Sequence, residues 1–249
     1  MLVPTGPTQA GYVIDWTPVR HSATFLGKPV EFRINPPADL ARVALARALA
    51  SAVERLRTVE GAFAPRPTGE PLHAAITTAV MTGCRDVREA THGYFDPWAM
   101  PGGFNPDGLL RGWAMERAAA VLTEAGLPDF AISAGDELLV RGAAPNGQRW
   151  QVGIRPPGHG ALTVSLPITD AAVSMSTGRV IDPHTQRLAT HWDAVAVTGP
   201  DLGIADAYAT GLRAAGPARL SWFPTPDGYH AVLFAAPRPD QPVRLQPAA

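Results

Sequence analysis

Asp206 and Thr210 are the residues of this sequence whose types and spacing most directly suggest chemistry. They lie four positions apart in the segment LGIADAYATGL, residues 202–212. If this segment is a helix, both side chains lie on one face, one turn apart, so a carboxylate and a hydroxyl can converge on one point. Such a pair can supply oxygens to Mg²⁺, which takes its other ligands from phosphate and water. Both residue types also occur on solvated helix faces, so the spacing alone leaves that interpretation open.

The elements that must position this pair are predicted from the spacing of apolar residues. Alanine and leucine recur at three- and four-residue steps after Asp39, which predicts a helix over residues 39–61 with Asp39 as its N-cap and Gly61 as its end. Similar patterns predict helices over residues 71–92 and 109–126, each stopped by a glycine. The segment with the Asp and Thr pair is the fourth predicted helix.

Short β-rich segments surround and follow these helices. Residues 21–26 and 29–34 alternate around Gly27 and Lys28, which predicts a hairpin. Further strands are predicted in the runs DFAIS, ELLVRG, RWQVGIRP, ALTVSLPI, AAVSMS and WDAVAVTG. The segment SWFPTPDGYHAVLF predicts a closing hairpin around residues 226–228. Strands that follow helices without strict alternation indicate an α+β fold.

Composition narrows the class of protein. A chain of 249 residues can bury a sizeable core, and residues 1–235 are expected to form a single domain, whereas the proline-rich residues 236–249 are expected to be unstructured. The chain has 21 Lys and Arg against 22 Asp and Glu, so no strong field attracts nucleic acid or an anionic membrane. The single Cys84 cannot form an internal disulfide, and no segment resembles a signal peptide or a membrane span. These features favour a cytoplasmic protein with no nucleic-acid partner and no membrane insertion.

Two further segments place polar and aromatic residues in a turn or near a helix start. In GYFDPW, Phe95 and Asp96 lie in a turn between a glycine and a proline. In DGLLRGWAMERAAAVL, Arg111 and Gly112 lie near a predicted helix start, where a guanidinium and free backbone N–H groups favour a phosphate. An ordinary helix exit and a solvated arginine are the structural alternatives.

Two more segments carry small residues or prolines. In SAGDELLVRG, Ala134, Gly135 and Asp136 follow a predicted strand, and such a turn lets a flat ligand approach the backbone. A plain β-turn is the alternative. The segment VIDPHTQ, residues 180–186, lies before the last helix and by itself predicts a proline-bearing loop.

Taken in order, these five segments resemble the motifs of the FAD:protein FMN transferase family, the ApbE-like proteins. GYFDPW resembles the family's G-x-F-D-P turn, DGLLRGWAMERAAAVL its K-G-W/Y-A-x-D/E-R helix and SAGDELLVRG its G-G-D/N turn. VIDPHTQ resembles H-I-x-D-P-x-T-G, and ADAYAT matches A-D-A-x-A-T. The resemblance covers roughly residues 20–235, and five ordered motifs are far more specific than any one of them.

The resemblance implies an α+β fold with a duplicated T-fold-like architecture, antiparallel sheets and packed helices. It also implies an enzyme that transfers FMN from FAD to a threonine hydroxyl of a partner flavoprotein and releases AMP, with Mg²⁺ held by Asp206 and Thr210. The FAD-binding residues that it implies are Phe95, Asp96, Arg111, Gly112, Ala134, Gly135 and Asp136.

The chain departs from the family motifs at positions that bear on catalysis. Arg111 replaces a lysine, and Ala134 replaces a glycine. The histidine of H-I-x-D-P corresponds to Arg179, which is a poor proton acceptor at neutral pH. A transferase of this kind therefore needs a substitute base, for which Asp182 and His184 are candidates.

Three functions stay open on the sequence alone. The first is a Mg²⁺-dependent FMN transferase with an altered base, and the second is an FAD-binding protein of the same fold with weak or no turnover. The third is an FAD hydrolase that gives FMN and AMP, which needs the same site and differs only in the acceptor. The intact A-D-A-x-A-T motif favours an enzyme, whereas Arg179 and the short segment before VIDP favour a binding protein.

Overall fold

The computed structural model describes residues 19–64, 71–156, 164–223, 227–235 and 242–245. The helices are α1 (Arg42–Ala62), α2 (Pro71–Ala90), α3 (Asp107–Glu124) and α4 (Leu202–Ala215). The strands are β1 (Val19–Phe25), β2 (Lys28–Asn35), β3 (Asp129–Ala134), β4 (Glu137–Arg141), β5 (Trp150–Ile154), β6 (Val164–Ile168), β7 (Ala171–Ser176), β8 (Ile181–Asp182), β9 (Arg187–Leu188), β10 (Ala194–Gly199), β11 (His230–Phe234) and β12 (Val243–Leu245).

Eight strands form one antiparallel sheet in the order β1-β2-β3-β4-β7-β10-β11-β12. Two small antiparallel pairs, β5-β6 and β8-β9, stand apart from it. Antiparallel sheets with packed helices confirm the predicted α+β class. No helix in the described part of the chain is both long enough and apolar enough to cross a bilayer.

The central strands of this sheet bury side chains on both faces. On one face, Phe130, Ile132 and Leu139 join the core formed with the helices. On the other, Leu138 and Val140 join a second cluster under β5 and β6. Because successive side chains of a strand point to opposite faces, each central strand serves two cores at once.

Helix α1 begins and ends differently from the prediction. Its N-cap is Ala41, without a side-chain cap, whereas Asp39 lies in a turn before it, so the prediction of Asp39 as N-cap is wrong. The predicted end at Gly61 is one residue short of the observed end at Ala62, and a Cβ at Gly61 would lie 3.2 Å from the His73 ring. This glycine therefore allows α2 to approach closely.

The first hairpin is confirmed, with its turn one residue earlier than predicted. Leu26 and Gly27 form the turn with φ of 48° and 71°, which is typical of a two-residue turn with both central residues in the left-handed region. The Glu60 carboxylate accepts a hydrogen bond of 3.0 Å from the Leu26 backbone N–H, which ties α1 to this turn.

The C-terminal region differs more. The predicted closing hairpin is wrong in its described part, because residues 221–223 form no strand and β11 pairs with β10 and β12. Residues 224–226 lie outside the described residues. The expectation of an unstructured tail is wrong for Val243–Leu245, since backbone hydrogen bonds to the open edge of β11 need no buried side chains. The other tail residues lie outside the described part of the chain.

Candidate functional site

A cavity of about 310 Å³ lies where four of the predicted motifs meet. One wall is the turn around Phe95 and Asp96, and a second is the start of α3 at Asp107 and Gly108. The third wall runs from Ser176 at the end of β7 to Ile181 at the start of β8, and Thr210 of α4 lines the same space. Segments that are far apart in the sequence therefore form one cleft.

Helix α4 runs along β7, and this places the Asp and Thr pair. The Ser174 hydroxyl donates a hydrogen bond of 2.7 Å to Asp206 Oδ1, whereas Ser176 and Thr210 both line the cleft. A two-residue step on a strand spans roughly 7 Å and a four-residue step on a helix roughly 6 Å. Ser176 therefore lies beside Thr210 much as Ser174 lies beside Asp206. Asp206 is only 8% exposed, and Thr210 is half-buried. Of the pair, Thr210 lines the cleft and Asp206 lies deeper, against the sheet.

Asp206 belongs to a cluster of buried charges. Burial raises its pKa, and the Ser174 hydrogen bond and the charges of Arg111 and Lys28 oppose that rise. Burial also raises the pKa of Glu137, and the nearby charge of Asp206 adds to it, whereas Arg111 lowers it. Burial and the mutual repulsion of the two carboxylates therefore favour their protonated forms, and a cation bound beside Asp206 would favour its ionised form.

Arg111 does not lie at a free helix start. Helix α3 begins at Asp107, so Arg111 and Gly112 lie in its second turn, and the prediction of free N–H groups at these two positions is wrong. The Arg111 Nε donates a hydrogen bond of 2.5 Å to Glu137 Oε1, and its side chain is 15% exposed. Burial lowers the pKa of Arg111, but Glu137, Asp206 and Asp107 together raise it above its usual value. Its guanidinium is a half-buried counter-charge to Glu137 of β4 and to Asp206 of α4.

Gly112 has a packing role at the crossing of α3 and α4. A Cβ at this position would lie 2.6 Å from the Gly203 nitrogen and 2.6 Å from the Leu202 carbonyl carbon. Gly203 faces the same crossing, where its own Cβ would lie 3.0 Å from the Leu109 oxygen and 3.0 Å from the Trp113 nitrogen. The two helices approach backbone to backbone, which fixes the position of α4 and hence of Asp206.

Glu116 is a buried residue that sequence reasoning did not single out. Its Oε1 accepts a hydrogen bond of 3.0 Å from the Leu202 N–H at the first turn of α4, and Oε2 pairs with Arg141 of β4. Asp201 caps the same helix end by accepting a hydrogen bond of 2.9 Å from the Ile204 N–H. Glu116, the acid of the R-G-W-A-x-E-R segment, therefore anchors α4. The sequence signal that could have revealed this role is an acidic residue at a buried position of the predicted α3 helix.

Arg213 is a second residue that the sequence did not reveal. It is 6% exposed on α4, and its guanidinium donates to the carbonyl oxygens of Gly178 and Asp193. Burial lowers its pKa. Arg213 fixes the backbone immediately before Arg179 and so shapes the third wall of the cleft.

Phe95 and Asp96 lie in the predicted turn and line the cleft. Phe95 is 3% exposed, and its ring would contact a Cβ at Gly108 at 3.1 Å. Both oxygens of Asp96 have partners, because Oδ2 pairs with Arg88 Nε at 2.6 Å and Oδ1 accepts 2.9 Å from the Trp98 N–H. Asp96 thus holds the turn against α2.

The turn between β3 and β4 lies behind this cleft. Gly135 adopts φ of 59°, and Asp136 accepts a hydrogen bond of 3.1 Å from the Thr177 hydroxyl. Burial raises the pKa of Asp136. Ala134 is 2% exposed and packs in the core with the helices. Among these three residues, Asp136 is connected to a cleft residue, and none lines the cavity itself.

We expect Ala134→Gly to lower stability without changing FAD affinity. The substitution removes a buried methyl group, worth about 0.8 kcal/mol, and adds the strand-interior cost of glycine, roughly 0.5–1 kcal/mol. Denaturant unfolding and an FAD titration measure the two effects. Tighter FAD binding by the variant would show that the Ala134 methyl crowds the ligand, which its burial in the core argues against.

Arg179 and its two proposed substitutes lie in different places. Arg179 is exposed and lines the cleft. VIDPHTQ, predicted as a loop, includes β8 and the turn to β9. Asp182 caps that turn by accepting hydrogen bonds of 2.9 Å from the His184 N–H and 2.9 Å from the Thr185 hydroxyl.

The His184 ring lies against Tyr94, with ring centroids 4.6 Å apart, and its Nε2 is 3.1 Å from the His92 oxygen. Neither Asp182 nor His184 lines the cleft that contains Thr210, so the placement argues against both as the base.

The residues at this site fit Mg²⁺ only together with a substrate. No three His, Cys, Asp or Glu side chains among the described residues form a group that could hold a metal ion. Asp206 and Thr210 offer one carboxylate and one hydroxyl, which matches a magnesium ion bound through one or two protein oxygens plus phosphate and water. This donor set does not suit a metal that needs a complete cage of protein ligands.

Comparisons with known proteins identify the family and show proteins of similar fold. The model of the ApbE family matches residues 102–233, and no curated protein matches the chain. Flavin transferase ApbE from Vibrio cholerae has a similar fold, with a TM-score of 0.75, 15% identity, and coverage of 95% of this chain and 97% of that one. A mutant of the same Vibrio cholerae protein gives a TM-score of 0.76 at 16% identity, with 91% and 96% covered. The apo form of the flavinyl transferase ApbE from Pseudomonas stutzeri gives 0.71 at 16% identity, with 97% and 96% covered.

Proposed function

Because this chain belongs to the ApbE family, we propose that it is a Mg²⁺-dependent transferase that moves FMN from FAD to a threonine hydroxyl of a partner flavoprotein and releases AMP. One observation carries the proposal. Asp206 and Thr210 lie together on α4 beside a cleft whose other walls are the GYFDPW turn, the start of α3 and the segment after β7. Each of these segments resembles a motif of that family in the sequence.

The chemistry that this site supports is charge neutralisation and orientation. Mg²⁺ held by Asp206 and Thr210 would neutralise the pyrophosphate of FAD. Arg179 lies on the cleft wall, where a guanidinium donates paired hydrogen bonds to phosphate oxygens. Phe95 and Met100 provide apolar surface in the same cleft. The cleft therefore combines groups for both the phosphates and an organic part of the substrate.

A direct assay separates the candidate functions. The purified chain is incubated with FAD and Mg²⁺, with and without a candidate acceptor flavoprotein, and AMP, free FMN and covalently bound flavin are measured. AMP together with covalent flavin on the acceptor supports the transferase. AMP with free FMN alone identifies a hydrolase, and bound FAD without either product identifies a binding protein. Loss of the products on addition of EDTA tests the metal requirement.

The binding-protein alternative also rests on a specific observation. No histidine is among the described residues that line the cleft, and Arg179 stands where the family motif has one. An enzyme at this site needs a proton acceptor of another type. If the assay detects neither AMP nor covalent flavin while FAD binds, the missing imidazole accounts for the result.

We expect Arg179→Gln to weaken FAD binding about tenfold or more. A hydrogen bond to a charged group contributes roughly 1.5–3 kcal/mol, and glutamine removes the charge at similar length. Arg187→Gln is the matched control, since Arg187 is an exposed arginine of the neighbouring hairpin that does not line this cleft. Equal FAD affinities of the two variants, measured by fluorescence titration, would exclude Arg179 as a phosphate ligand.

A further inference from the structure

The described residues that line the cleft include two carboxylates, those of Asp96 and Asp107, which differ in their partners. Both oxygens of Asp96 are engaged, with Arg88 and with the Trp98 N–H. Asp107 is exposed, its carboxylate has no hydrogen bond or ion pair with another described residue, and its charge helps to raise the pKa of Arg111 one turn along α3. Its backbone N–H donates a hydrogen bond of 2.8 Å to the Asn105 side-chain oxygen, and this bond holds Asp107 at the start of α3.

The position of Asp107 brings it close to the proposed metal ligands. It adjoins Gly108, where a Cβ would lie 3.1 Å from the Phe95 ring and 3.5 Å from Thr210 Oγ1, so the start of α3 packs beside both residues. Arg179 lines the same cavity. An acceptor hydroxyl that reaches a phosphate held by Arg179 and Thr210 therefore enters beside Asp107.

We propose that Asp107 is the general base of this chain and takes over the role for which Arg179 is unsuited. The inference rests on the proposed function. The acceptor hydroxyl oxygen forms a bond to the phosphorus of the FMN phosphoryl group, and its proton passes to a carboxylate oxygen of Asp107. The bond from that phosphorus to the AMP oxygen breaks, and AMP leaves with the electron pair. The exposed Asp107 then releases the proton to water.

The chemistry agrees with aspartate in this role. A carboxylate is an acceptor only, whereas a guanidinium stays protonated and cannot take the proton. In protein kinases an aspartate accepts the substrate hydroxyl proton in phosphoryl transfer, so the residue type is adequate for this reaction class. Asp182 and His184 lie outside the cleft and have partners of their own.

The test compares Asp107→Asn with Asp86→Asn, an exposed aspartate of α2 outside the cleft. We expect Asp107→Asn to lower kcat for AMP release by a factor of about 10²–10⁴, whereas its Kd for FAD should stay within about threefold of the parent value. Asp86→Asn should leave both kcat and Kd unchanged. Asp107→Glu should retain part of the activity. In the Asp107→Asn background, the second substitution Arg179→His should recover kcat while weakening FAD binding. Recovery by an imidazole identifies the lost group as a base, which a purely structural role would not explain.

The outcomes separate this inference from the proposed function. If the parent chain releases no AMP from FAD and Mg²⁺ in the presence of the acceptor flavoprotein, both are overturned. If the parent is active and Asp107→Asn keeps its kcat, Asp107 is not the base and the transferase proposal stands. A fall in kcat that Arg179→His does not recover, with a lowered Tm, also overturns the inference and assigns Asp107 to the stability of the α3 start.

Discussion

Asp206→Asn is expected to lower Mg²⁺-dependent AMP release by at least about 10²-fold while the fold is retained. Asparagine keeps the shape and can still accept the hydrogen bond from Ser174, but it loses the charge that attracts a divalent ion. Burial raises the pKa of Asp206, so the ionised carboxylate is costly in the folded state and a neutral amide should not reduce stability. Activity at increasing Mg²⁺ and the thermal unfolding curve measure the two effects.

Ser174→Ala provides a graded comparison for this result. It removes the hydrogen bond that orients Asp206 and leaves the carboxylate in place. A residue that orients a metal ligand typically affects metal affinity by about 10–100-fold, so the apparent Mg²⁺ affinity should fall while activity recovers at high Mg²⁺. Undiminished Mg²⁺-dependent AMP release by Asp206→Asn would remove the metal assignment.

Gly112→Ala is expected to destabilise the protein by about 3 kcal/mol or more, because the new methyl group meets the backbone of α4 at 2.6 Å. Backbone atoms cannot move aside as the end of a flexible side chain can, so α3 and α4 must separate. For a chain of this size, the shift in Tm is roughly 6–12 °C. Because α4 carries Asp206, metal-dependent activity should fall as well, even at temperatures at which the variant is folded.

Gly83→Ala is the matched control for this substitution. Gly83 also lies in a helix interior, but a Cβ there would meet only Leu109 side-chain carbons at 3.7 and 3.8 Å, which is ordinary contact. Alanine has a higher helix propensity than glycine by about 1 kcal/mol, so this variant should be neutral or more stable. Similar Tm values for the two variants would show that α3 and α4 can adjust their crossing.

The helices and most strands could be predicted because they depend on local patterns. The apolar periodicity of α1 and the alternation around Gly27 need no knowledge of the partner elements. The helix ends were less predictable, since Asp39 looks like an N-cap but the chain turns once more before α1 begins. Gly61 looks like a stop, and only the position of His73 shows why a glycine lies inside the helix.

The candidate site was predicted in part for a similar reason. The Asp206 and Thr210 pair follows from helix geometry and could be found in the sequence. The roles of Glu116 and Arg213 depend on partners 86 and 35 residues away, respectively, and no local pattern shows them. Arg111 illustrates the limit most clearly, because its type suggests a phosphate ligand, whereas the fold pairs it with Glu137 of the sheet.

Strand β7 has a consequence for how this protein tolerates change. Ser174 and Ser176 point to α4 and the cleft, whereas Val173 and Met175 belong to the cluster on the opposite face. Neighbouring positions of this short strand therefore contact different parts of the molecule, the candidate site on one face and an apolar cluster on the other. In the cluster on the opposite face, one apolar residue can replace another of similar volume without a change in the residues that line the cleft. A shared architecture at about 16% identity is what such a separation of constraints permits.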